Sequence, residues 1–112
     1  MIEHKELGRI SEAWFGYGGY QDAMLGFGLV LEGESWGYGG EFYGTWASPP
    51  GSHAEWTEDD QTRLWGEAAR KVRDLLRTAR VDRIQKLVGM PIEATFDGNR
   101  FVSFRILTEV MA

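Results

Sequence analysis

Several short groupings in the sequence carry side chains of the right type for chemistry. Ser52-His53 sets a hydroxyl beside an imidazole. Adjacent residues seldom point at each other, however, and no third group stands ready to orient the base. His53 with Glu55, or Glu32 with Glu34 on one strand face, offers two metal ligands, where a stable site needs three or four. The chain has 2 His and no Cys, so thiol nucleophiles, disulfides and Cys-based metal centres are excluded. Gly16-Tyr17-Gly18-Gly19 and Gly37-Tyr38-Gly39-Gly40 have the glycine content of a phosphate loop. Such loops open a helix or carry a lysine, and neither of these does. These residues predict a non-enzymatic protein with no catalytic set, no metal and no cofactor.

Aromatic residues are the stronger signal. Residues 35–56, SWGYGGEFYGTWASPPGSHAEW, hold six aromatics and five glycines in 22 positions. Tyr and Trp supply large contact area at low entropic cost and are enriched at binding hot spots. The candidate partner-binding set is Trp36, Tyr38, Phe42, Tyr43 and Trp46, with Tyr17 and Tyr20 from the earlier repeat of the same wording. Two readings of the repeat stay open. Both segments can be tight turns in which glycine supplies a positive φ, or they can lie side by side as one aromatic surface. Trp36 and Trp46 are also the first candidates to fold back into a second small core.

Charge divides the chain. No Lys or Arg occurs between Arg9 and Arg63, a stretch that holds nine acids; eight basic residues then follow from Arg63 to Lys86 against Glu67, Asp74 and Asp82. Arg70, Arg73, Arg77 and Arg80 recur at helical spacing and form a candidate anion-contacting row. The ordinary alternative is a solvated helix face stitched by Arg70–Asp74 and Glu67–Lys71 pairs. A net charge of −5 disfavours duplex nucleic acid, whose binding rests on phosphate neutralisation.

The elements that must position these groups follow from periodicity. Residues 24–32 alternate Leu25, Phe27, Leu29 and Leu31 against Met24, Gly26, Gly28 and Val30, a strand whose second face is flat enough for a ring to approach. Residues 7–15 give a weaker strand before it, and residues 41–46 a further one. Thr57 is an N-cap with Asp60 three positions on, followed by a stripe of Leu64, Ala68, Val72, Leu75 and Ala79, widened by Trp65, Ala69 and Leu76. A short helical turn over 82–87 stops at Gly89 and Pro91. Strands at 91–96 and 100–110 are joined by Asp97-Gly98-Asn99, a hairpin signal. The order β-β-(β)-α-β-β predicts one α+β domain spanning 1–112: an antiparallel sheet of four to five strands with a long helix on one face. Ile92, Ala94, Phe96, Val102, Phe104 and Ile106 are expected to meet the helix stripe. No apolar run is long enough to span a membrane, and the first residues lack a signal-peptide layout, so a cytoplasmic protein is expected.

GYGGYQDAM (16–24), the Trp36-Gly37 to Trp46 stretch, Glu55-Trp56-Thr57 and KLVGMPIEATFDGNRFVSFRILTEV (86–110) together resemble a family of short phage-borne proteins of unassigned function. The resemblance assigns no catalytic residue. It implies an accessory, anti-defence role in the cytoplasm of an infected bacterial host, exerted by stoichiometric binding to and inhibition of a host defence protein. The acidic neighbours Glu34 and Glu41 would favour a basic patch on that partner. The second function reading is a sponge for a nucleotide-type immune signal, which would need the Arg70/Arg73/Arg77 row to approach the aromatic loop, across a homo-oligomer if not within one chain.

Overall fold

A computed structural model describes residues 2–110. Its strands are β1 (Glu3–Gly18), β2 (Met24–Gly33), β3 (Gly37–Trp46), β4 (Pro91–Asp97) and β5 (Arg100–Ile106), with one helix, α1 (Glu58–Ala79), between β3 and β4. They form one antiparallel sheet in the order β3-β2-β1-β4-β5. The expected α+β class is therefore the observed one.

The central strand is longer than its alternation suggested. β1 begins at Glu3 because its first half, EHKELGR, pairs with β4 from Glu3↔Asp97 to Arg9↔Pro91. Its second half pairs with β2 from Gly8↔Gly33 to Gly18↔Met24. Only Gly8 and Arg9 have a strand on both sides. A bulge between Ile10 and Glu12 lies just past this exchange, where an extra residue bends and twists a strand. The resulting curl brings the two edge strands together: Tyr38 of β3 stacks on Phe101 of β5, ring centroids 4.1 Å apart and planes 15° from parallel.

One face of the sheet carries the core. Ile10, Phe27, Leu29, Leu31, Ile92 and Ile106 are buried with Leu75 and Ala79 of α1 and with Leu87 of a short 3-10 turn. The helix starts where its capping box places it: Asp60 N–H donates to the Thr57 hydroxyl at 3.2 Å, and Thr57 N–H to the Asp60 carboxylate at 2.9 Å. It lies mainly on β3 and β2, not on the C-terminal hairpin expected to receive it. Two side chains fix that position. Gln61, buried, donates to the carbonyls of Trp46 (2.7 Å) and Ser48 (3.0 Å), and Trp65 Nε1 donates to Leu25 O at 2.9 Å.

Three expectations need correction. Val102 is the extra residue of a β4/β5 bulge and stands 44% exposed, so it does not reach the helix. Ala69 is exposed and does not widen the helix stripe. Both GYGG segments lie mostly within strands: Gly16 and Gly18 end β1, residues 37–40 open β3, and the first hairpin turns instead through Gly19 and the 3-10 turn Tyr20–Asp22. The glycines of β1 and β2 serve close approach. A Cβ on Gly28 would fall inside the Trp14 indole, and one on Gly18 would lie 2.8 Å from the Phe42 ring.

Gly28→Ala should therefore destabilise the fold by about 1–3 kcal/mol in denaturant unfolding. Gly51→Ala, where nothing lies within 4 Å, should stay within ~0.5 kcal/mol of wild type. The capping box gives a pH prediction. The Thr57 main-chain N–H, then its hydroxyl, and more weakly Arg63, hold the Asp60 carboxyl below its ordinary value of 3.8. A carboxyl with a folded pKa below its unfolded one stabilises above the unfolded value, and that contribution is lost as pH falls through the folded one. The stability gap between wild type and Asp60→Asn should be open at neutral pH and close below about pH 4. A gap unchanged at pH 3 would contradict this account.

Candidate functional site

Sheet geometry divides the seven candidate aromatics between two faces. On the core face, Tyr38, Glu41, Tyr43 and Thr45 stand opposite Leu31, Leu29, Phe27 and Leu25. Tyr43 stacks on Phe27 with centroids 6.1 Å apart, donates its hydroxyl to the Glu41 carboxylate and takes Lys71 over its ring at 5.2 Å. Burial, and then the hydrogen bond to Glu41, pushes the Tyr43 phenol well above its usual range. Trp36, in the β2–β3 connection, lies edge-on to Phe96 at 5.3 Å and covers Gly8 and Gly33, where any Cβ would collide with its indole. Its Nε1–H is buried with no hydrogen-bond partner among the described residues. Trp36, Tyr38 and Tyr43 all pack against the core cluster.

The opposite face of the sheet has no helix on it, and its two halves differ in chemistry. Where β1 runs beside β4, with β5 beyond, ions surround an exposed Leu7: Lys5–Glu93 at 3.7 Å and Arg105–Glu93 at 3.0 Å, with Arg9 bonded to Glu32 of β2 at the overlap. Where β1 runs beside β2 and β3, the residues sharing that face are Trp14, Gly16 and Gly18, then Met24, Gly26, Gly28 and Val30, then Phe42, Gly44 and Trp46. Trp14 lies over Gly28, Phe42 reaches across β2 to Gly18, and the two rings meet at 6.5 Å. Tyr20, 66% exposed in the hairpin turn, sets its edge against Trp46 at 6.2 Å. Gly18, Gly26 and Gly28 are buried beneath this layer, while Trp14, Phe42 and Trp46 remain half-exposed. The repeated segments are thus separated by one strand, and their rings meet above it.

Tyr17 belongs to the core face but lies beyond the helix, 68% exposed beside Phe15 at 55%. The helix row is solvent-facing: Arg70, Arg73, Arg77 and Arg80 are all exposed. Its expected pairs are not those formed. Asp74 is bound by its neighbour Arg73 (3.0 Å) and Glu67 by Arg63 (3.1 Å), while Lys71 turns to Tyr43. Ser52 and His53 are exposed in the loop between β3 and α1. Among the described residues no three His, Asp or Glu side chains cluster as a metal site would require.

Trp14 and Met24 complete the open-face cluster; the sequence reading put Met24 on the flat face of β2 but named neither residue as a contact. The usable signal was parity. Trp14 shares a strand face with Gly16 and Gly18, and Met24 shares one with Gly26 and Gly28.

No protein-family model, curated protein or solved structure matches the chain, so the role of this surface rests on its own residues. Two tryptophans separate structural roles. Trp65→Phe removes a bond to Leu25 O, whereas Trp36→Phe removes a donor that has no acceptor. Trp36→Phe should be the milder change by about 1 kcal/mol or more in thermal or denaturant unfolding. An equal or larger loss at Trp36 would mean its N–H is satisfied in solution.

Proposed function

We propose that this protein acts by stoichiometric binding to another protein, not by catalysis, and that the open-face cluster of Trp14, Phe42 and Trp46, rimmed by Tyr20, is its contact surface. The observation that carries the reading is the contrast within one sheet face. Half of it is finished with cross-strand ions around a single exposed Leu7; the other half presents aromatic rings on glycine with no helix above them. Contiguous apolar surface of this kind marks interaction sites. Rings already held against backbone lose little freedom on binding.

The partner class comes from the resemblance to short phage-borne proteins: a host defence protein, inhibited by occupation of its surface. Glu12 shares the open face with Trp14, and Asp22 lies in the turn beside Tyr20; both are exposed and favour a partner with a basic patch. Trp36, Tyr38 and Tyr43 support the sheet beneath. The nucleotide-sponge reading has less support, since the arginine row faces solvent and the cation over a ring is Lys71 on half-buried Tyr43.

Affinity capture from host lysate should retain a partner with wild type and with Arg105→Ala, and lose it with Trp46→Ala or Tyr20→Ala. The loss should reach about 2 kcal/mol or more for a central anchor once the partner is titrated. Equal retention by all four proteins would overturn the surface assignment. A melting temperature raised by cyclic or linear nucleotides, and not by any captured protein, would favour the sponge.

A further inference from the structure

The second half of β1 has a free edge. Beyond Ile10, whose N–H and carbonyl still bond Met90 O (3.0 Å) and Gly89 N (2.7 Å), residues 12–18 pair with β2 on one side and with no described strand on the other. Natural edge strands are blunted by lysine, proline or inward charge. EAWFGYG has none of these, only Glu12 at one end. Beside the edge, residues 13–15 with Val72, Leu76 and Ile84 line a groove of about 550 Å3 rimmed by Arg83 and Gln85. Phe15 and Tyr17, on the same sheet face as Ala13, are the exposed aromatics next to it.

We propose that the occupant of this edge is a second copy of the same chain, paired antiparallel across a two-fold axis at Phe15. The segment's own register argues for it. An antiparallel pair that uses all seven free residues must centre on residue 15, so that Phe15 faces Phe15, Ala13 faces Tyr17, Trp14 faces Gly16 and Glu12 faces Gly18. Apart from the ring pair on the axis, each contact sets a larger side chain against a small one. No like charges are opposed. Directly opposed side chains approach within about 5 Å, so Tyr17 of each copy is delivered over Ala13 and into the other's groove. That accounts for an exposed tyrosine and an open apolar groove by one operation.

Aromatic side chains bury roughly 150–250 Å2 each. At 55% and 68% exposure, Phe15 and Tyr17 then offer roughly 250 Å2 a side, about a third of the ~800 Å2 per partner in a standard interface. A contact of that size, completed by strand pairing, belongs with small, concentration-dependent dimers. The two-fold would join two sheets into one of ten strands and place both open-face clusters on the same side. The dimer does not rest on the binding role proposed for that cluster: Trp14 borders both surfaces, but Phe15 and Tyr17 lie on the opposite face and Phe42, Trp46 and Tyr20 lie away from the edge.

Analytical ultracentrifugation over a concentration series tests the proposal. Wild type should sediment at twice the chain mass, and Phe15→Lys, which sets two lysines against each other, should weaken the dimer at least tenfold while leaving the helical circular dichroism unchanged. Because the chain lacks cysteine, Phe15→Cys should oxidise to a disulfide-linked dimer, and Val102→Cys, on an exposed bulge elsewhere, should not. A monomeric wild type at ~100 μM, roughly a hundredfold above a micromolar dissociation constant, would overturn the proposal and leave the edge to a strand from another protein. A dimer insensitive to Phe15→Lys would overturn it equally.

Discussion

Everything in this fold depends on β1 serving two hairpins in succession. A strand of 16 residues meets β4 along its first half and β2 along its second, overlapping at Gly8 and Arg9 alone. Neither hairpin could hold the sheet together by itself, since an isolated two-stranded ribbon is marginal in water. Their common strand makes five strands one sheet. The bulge beyond the overlap and the resulting curl bring Tyr38 against Phe101, so the edge strands touch through side chains instead of backbone. The same offset leaves residues 12–18 with one edge that no described strand pairs, where Trp14 Nε1 donates to the Tyr17 carbonyl at 3.2 Å. The strand's length closes the core and its stagger opens the edge.

Glycine is the second constraint, and it acts through removal of volume. Over Gly28, Gly8 and Gly33 the missing Cβ is where an indole lies. Each ring gains close contact with backbone, and each glycine adds unfolded-state entropy that folding must overcome. On the core face the arrangement also strands a buried indole N–H at Trp36, an unmade bond that only tight packing would retain. The aromatic-rich half of the chain is therefore a layer built on strands, with β3 reaching back from the expected 41–46 to Gly37.

The legible parts of the sequence were those where one physical signal acted alone. Thr57 with Asp60 marks the helix start because capping is local, and the stripe through Ala79 marks its length. Asp97 and Gly98 mark the last hairpin, where Gly98 takes φ 61°. What could not be read depended on partners distant in sequence. EHKE at the head of β1 has no apolar alternation because its pairing is to β4, some ninety positions on, with His4 stacked on Phe96. Gln61 precedes the apolar stripe, and its burial follows from the carbonyls of Trp46 and Ser48 that accept its amide. GYGG was ambiguous for a different reason. Glycine fits both a turn and a strand that something must approach closely, and only the ring above it decides between them.

The contrast between the halves of the open face bears on what the chain is built for. Stability alone does not need rings there: the half beside β4 is finished with Lys5, Glu93 and Arg105 around an exposed Leu7, and the overlap with the Arg9–Glu32 pair, cross-strand ions that keep a sheet surface wet. Setting Trp14 and Phe42 over Gly28 and Gly18 puts glycines, which lower β propensity, inside the strands and leaves half-exposed rings on the surface. The helix could not cover that face as well, since Gln61 and Trp65 tie it to the other one through main-chain carbonyls. A half-exposed aromatic layer that the helix cannot also cover is the physical ground of the proposed binding role.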